Sequence, residues 1–226
     1  GVGLARKIGM DEAASRLGKN TEGIIVALDA DCTVAPNYLV SIEKHFARLP
    51  ETPGASIYFK HPLDFSDKKL QKGIIEYELH LRHYNQLIKY TGHPFAFHTI
   101  GSSMAVRSWA YMKQGGMNKR KAGEDFYFLQ KIMLLGKFTE INTTCVYPSA
   151  RISDRVPFGT GKAQGDWVDK QKEQWMSYHP DAAEGLKKLF DLIVQRAKEI
   201  SEMDIQFLPD EIIEFVGAEQ WKSKME

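Results

Sequence analysis

Gly23-Ile24-Ile25-Val26-Ala27-Leu28-Asp29-Ala30-Asp31 is the stretch that decides the fold. Its short, continuous β-branched apolar run reads as a strand buried on both faces of a parallel or mixed sheet. Two carboxylates follow at once. In open α/β sheets ligands bind beyond the carboxyl ends of strands, so Asp29 and Asp31 are placed to hold Mg²⁺ or Mn²⁺ against a substrate diphosphate. The plainer alternative is an Asp that caps the turn into the next helix.

Working outward, Leu4, Ile8 and Leu17, with Ala5 and Ala13, trace a helical stripe that stops at Gly18. Pro36 suits the first turn of a second helix, with Tyr38, Leu39, Ile42, Phe46 and Leu49 as its core stripe. Ala55 to Phe59 and Met104 to Val106 read as strands. A long helix is expected from about Asp67 to Tyr90, carrying Leu70, Ile74, Leu81 and Ile88 inward. Another runs from Glu124 to Leu135 and is closed by Gly136. Phe138 to Tyr147 is β-like, Ser149 to Gly165 a loop rich in Gly and Arg, and the remainder mostly helical, with a stripe through Leu186, Leu189, Phe190, Ile193 and Val194. Strands alternating with helices predict an α/β fold with a mixed sheet flanked by helices. Residues 1–165 form the expected α/β portion and 166–226 a helical C-terminal extension.

Composition bounds the function. Of 226 residues, 43% are hydrophobic and 26% charged, which excludes disorder, collagen-like repeats and a coiled-coil rod. Lys+Arg 30 against Asp+Glu 29 leaves a net charge of +1, no global field to hold a nucleic acid, so phosphate chemistry must come from a local site. Cys32 and Cys145 show no C-x-x-C spacing, which removes the disulfide-scaffold and zinc-ribbon readings and suits a reducing cytosol. The longest stretch free of charged side chains, Tyr90 to Val106, is too polar for a membrane span, and no signal peptide is read.

Two further constellations carry chemistry. Gly123-Glu124-Asp125 opens the helical run Phe126, Phe128, Leu129, Ile132 and Met133. Acidic residues in a first turn are favoured by the helix dipole alone. Facing a metal site, however, such a carboxylate can take a proton from an acceptor hydroxyl as a general base. The loop from Arg151 to Lys162 joins Arg151, Arg155 and Lys162 to Gly159 and Gly161. It reads either as an ordinary solvated loop or as a mobile cover for phosphate oxygens, its glycines letting N–H groups approach an anion.

Taken in order, these residues resemble the family 2 glycosyltransferases of the GT-A fold. Gly3-Leu4-Ala5-Arg6-Lys7-Ile8-Gly9 is similar to that family's G-x-A-R-N-x-G element, with Lys7 in place of Asn. Asp29-Ala30-Asp31 is similar to its D-x-D, Gly115-Gly116-Met117 to its G-G-F, and Glu124-Asp125 to its E-D motif. The resemblance implies inverting transfer of a sugar from a nucleotide-diphosphate donor to a hydroxyl acceptor, whether a glycan, a lipid-linked molecule or a small molecule. It makes Asp125, beside Glu124, the catalytic base, and Asp31 with Asp29 the holders of Mn²⁺ or Mg²⁺. Arg6, Ser102, Ser103, Arg151, Arg155, Gly159, Gly161 and Lys162 join them in donor binding. It also implies a cytoplasmic location, peripheral attachment to the inner membrane face being left open, and a sheet lacking the family's first two β-α units. At roughly 30 residues or more per unit, about 60 to 100 residues are expected to precede Gly1. Gln171 to Trp175 is similar to the Q-x-x-R-W of processive synthases, with Gln in place of Arg.

Two rivals stand beside this reading. Asp29-Ala30-Asp31-Cys32-Thr33-Val34 satisfies the D-x-D-x-T-V pattern of haloacid-dehalogenase-like phosphatases, with Asp29 as nucleophile and Gly165-Asp166-Trp167-Val168-Asp169 as the later acidic motif. That reading leaves Glu124-Asp125 unexplained. The other rival is a non-catalytic sugar- or nucleotide-binding module.

Overall fold

The computed structural model describes residues 1–18, 22–120, 122–153, 157, 159–169 and 174–195. Helix α1 (Val2–Leu17) ends where Gly18 adopts a positive φ. Strands β1 (Ile24–Ala27) and β2 (Thr33–Val34) flank the D-x-D turn, and α2 (Tyr38–Arg48) follows Pro36. Next come β3 (Gly54–Phe59), α3 (Lys68–Tyr90), β4 (Met104–Arg107), α4 (Ser108–Lys113) and α5 (Glu124–Met133). The order closes with β5 (Thr139–Tyr147), α6 (Thr160–Asp169) and α7 (Pro180–Gln195). The short β2 and α4 lack any periodicity long enough to announce them in sequence.

The strands form one mixed sheet in the order β1-β4-β3-β5-β2. Only β3 and β5 pair in parallel; the other three pairings are antiparallel. Strand β4 is therefore enclosed on both sides, and all four of its residues are buried. Strand β1 pairs with β4 alone among the described residues. Its burial alternates, with Ile25 and Ala27 buried and Ile24 and Val26 half-buried, which corrects the expectation of a strand buried on both faces. The apolar run has the composition of an interior strand but occupies an edge position.

The chain divides into two compact units, Gly1–His80 with Phe97–Trp175, and Leu81–Ala96 with Met176–Glu226. In the first, Ile42 and Phe46 of α2, Ile57 and Phe59 of β3, and Phe128, Leu129 and Ile132 of α5 are each at most 2% exposed. Each such side chain contributes about 1.5–3 kcal/mol relative to leaving it in water. Arg107 closes β4 by donating to the Phe46 carbonyl (2.8 Å) and the Glu22 carbonyl (3.0 Å), satisfying an acceptor in the last turn of α2. In the second unit, Tyr90 of α3 donates to Glu184 of α7 (2.6 Å), and Phe190 meets the His93 ring edge-on. Among the described residues no helix is long and apolar enough to cross a membrane.

The expected loop from Ser149 to Gly165 needs correction. Gly159, at φ 96°, turns the chain, and the Ala163 N–H donates to its carbonyl (2.9 Å), so α6 begins at Thr160. Gly161 and Lys162 lie in a helical turn. The expected boundary at residue 165 falls within α6.

Candidate functional site

Helix α1 approaches the start of α5 at Gly3, where a Cβ would lie 2.2 Å from the Arg120 carbonyl oxygen and 3.1 Å from Glu124 Cβ. Only a glycine allows this approach. One turn later the helix directs Arg6 inward, while Leu4 and Ile8 of the expected apolar stripe are 44% and 62% exposed. The same face as Arg6 carries Met10, 4% exposed, so Arg6 with its two carboxylates and an apolar side chain one turn later together select it. Arg6 Nη2 donates to Asp29 Oδ1 at 2.6 Å, and Arg6 Nη1 donates to Glu124 Oε1. The Arg6 side chain is 8% exposed, that of Glu124 4% and that of Asp29 42%, so the guanidinium joins a buried carboxylate to one open to solvent.

Glu124 and Asp125 open α5 behind Gly123, which at φ 69° provides the entry turn that a side chain resists. The Glu124 carboxyl is pushed up from its ordinary range, first by burial and further by the charges of Asp125 and Asp29; Arg6 opposes the shift. Asp125 Oδ2 accepts the Gly101 N–H (2.9 Å) and Oδ1 accepts the Phe126 N–H (2.8 Å). Two backbone donors thus fix the orientation of this carboxylate. Burial, with the Asp125 charge adding to it, holds the Tyr77 phenol up at about 12, so it remains an O–H donor at neutral pH.

Asp31 faces Arg151, whose Nε and Nη2 both donate to its Oδ2 at 2.8 and 2.6 Å. Asp29, Asp31 and Cys32 each offer a ligand atom, all within 4.8 Å of one another. Carboxylate oxygens suit Mg²⁺ or Mn²⁺, and the thiol a softer ion. Each Asp is paired with a guanidinium, so the site already accommodates positive charge at both carboxylates.

Ser102 and Ser103 stand in the turn before β4, 3% and 1% exposed. Ser102 hydrogen-bonds the Cys32 thiol, and Ser103 Oγ has no partner among the described residues. The other end of the basic loop is not brought to the carboxylates: Lys162 pairs along α6 with Asp166 (3.0 Å). Asp166 of the phosphatase-like motif is thereby engaged. Gly161 packs against Ser153, and Gly159 forms the turn already described. Arg155 and residues 171–173 lie outside the described residues, while Trp175 packs between Tyr77 and His80 (centroids 5.3 Å from each). The Gly115-Gly116-Met117 step docks on α1, with both glycines at positive φ and Tyr111 donating to Asp11 (2.6 Å). Lys7 pairs with Asp11 at 2.8 Å.

Cys32, Gly101 and Tyr77 belong to this constellation and carry no motif that would have singled them out. Cys32 gives one expected result. Burial pushes its thiol up, and the Asp29 and Asp31 charges add to the shift, so the reactive thiolate is scarce at neutral pH. Alkylation by iodoacetamide at pH 7 should run more slowly than that of a free cysteine, and the gap should close as the pH is raised. Peptide mass spectrometry over pH 6–10 measures this, and free-cysteine reactivity at pH 7 would refute it. Compared with known proteins, the chain matches no family model and no curated protein.

Proposed function

We propose that the chain is the catalytic portion of an inverting glycosyltransferase that moves a sugar from a nucleotide-diphosphate donor to a hydroxyl acceptor. One observation carries the reading. Arg6, Asp29, Glu124 and Asp125 come from three separate elements and meet around one guanidinium and one turn. These are the residues whose order along the chain resembles family 2 of the GT-A transferases. The mixed α/β sheet, with its D-x-D at the carboxyl end of β1, is consistent with that fold.

On this reading Asp31 and Asp29 hold a divalent cation, which when bound supplies positive charge to the departing diphosphate. Arg151 leaves Asp31 for the phosphate oxygens, where its fork of donors suits them. Asp125, steadied by Gly101 and Phe126, accepts the proton of the acceptor hydroxyl as that oxygen attacks the anomeric carbon. The attack is in line, opposite the diphosphate, which inverts the configuration.

Calorimetry with Mn²⁺ and UDP-, GDP- or dTDP-sugars tests the reading and names the base. Binding of one donor is expected to require the cation, and Asp31→Ala should weaken it about 10- to 100-fold, as loss of metal-site support does. Donor binding indifferent to both Mn²⁺ and Asp31 would remove the metal role. A magnesium-dependent phosphatase activity abolished by Asp29→Asn would favour the rival reading.

A further inference from the structure

The transferase reading gives Arg6 to the donor, but its surroundings suit a different task. Both terminal nitrogens are taken by carboxylates of the protein, and the side chain is 8% exposed. Its remaining face is closed by Gly101: a Cβ there would lie 2.4 Å from Nη1, 2.6 Å from Cζ and 2.7 Å from Nη2. The same Gly101 donates its N–H to Asp125. Arg6 therefore touches the turn after β1, the first residue of α5 and the turn that orients Asp125.

We propose that Arg6 is a positioning residue, a strut that sets the spacing between the metal-binding end of β1 and the base on α5 without contacting the donor. This rests on the transferase reading. Its content is geometric. The planar fork reaches two carboxylates at once, which the single ammonium of Lys does not reproduce. With the strut lost, donor and cation still bind to Asp29 and Asp31, and Asp125 is still present, but the attacking oxygen and the anomeric carbon are misaligned. A displacement of about 1 Å in such an arrangement costs about 10²-fold in rate.

The test uses Arg6→Lys, Gly101→Ala and the double variant. Gly101→Ala alters no charge and has no positive φ to strain, yet its methyl displaces the guanidinium, so it keeps the test open should Arg6→Lys fold poorly. Each single variant is expected to lower kcat about 10- to 100-fold, with donor KM and the calorimetric Kd for Mn²⁺ with nucleoside diphosphate within threefold of wild type. Because both act through one guanidinium, the double variant should be less than twofold below the worse single variant. A tenfold rise in KM or Kd with kcat retained would make Arg6 a donor contact and overturn the proposal. So would full kcat in Gly101→Ala, or effects that multiply in the double variant. Absence of any Mn²⁺–nucleotide binding by the wild type sinks the transferase reading itself, and the proposal with it, and is distinguishable because it does not involve the variants.

Discussion

Asp125→Asn is expected to lower sugar transfer by about 10²- to 10⁴-fold, the range that a positioned general base supplies. Asn keeps the size of the side chain and one acceptor oxygen. It cannot take a proton at neutral pH, and its amide would face one of the two N–H groups, from Gly101 and Phe126, that now point at the carboxylate. Losing one such hydrogen bond costs about 1 kcal/mol, so the fold should survive. Donor binding does not use Asp125 and should be nearly unchanged. The comparison to make is kcat and donor KM, with the calorimetric Kd of the donor as control. Near-normal transfer by Asp125→Asn would remove the base assignment and leave a binding module as the better account.

Arg6→Met is expected to produce the largest loss of stability, about 3–5 kcal/mol, because it strands the buried carboxylate of Glu124. The loss has a pH dependence whose sign follows from the Glu124 shift. In the folded chain this carboxyl lies above its ordinary value of 4.5. Its protonated form is therefore the one the fold favours, and that contribution is complete below pH 4.5 and lost as pH rises through the folded value. Removing the opposing guanidinium raises the folded value further. The penalty should accordingly be small near pH 4.5 and grow toward pH 8. Adding Glu124→Gln should recover most of it, since the stranded group is then neutral. Urea unfolding of the three proteins at both pH values measures this, and a penalty independent of pH would show that Glu124 is not its source.

Much of the fold was legible in the sequence because its elements are strongly periodic. Helices α2, α3 and α5 and strands β3, β4 and β5 fall within a few residues of where their apolar patterns place them. Helix α1 was legible as a helix, but its buried face was not. Leu4 and Ile8 have the right spacing for a core stripe, yet the face that packs is the one with Gly3, Arg6 and Met10, where Arg6 meets Asp29 and Glu124. Gly159 to Lys162 looked like loop because Gly and Thr are weak helix formers, whereas the preceding turn and the packing of Gly161 on Ser153 initiate α6 there.

By itself the sequence determined the alternating α/β order, the placement of Asp29 and Asp31 at a strand's end and the opening of a helix by Glu124-Asp125, since these depend on near neighbours in the chain. Tertiary structure alone decided that β1 lies beside β4, that Arg6 links Asp29 to Glu124, that Gly101 orients Asp125 and that Arg151 meets Asp31. Those contacts join residues between 23 and 118 positions apart where Arg6 is concerned, a separation at which no local periodicity carries information. Electrostatic pairing acts through space, and only the packed sheet brings these charges into contact.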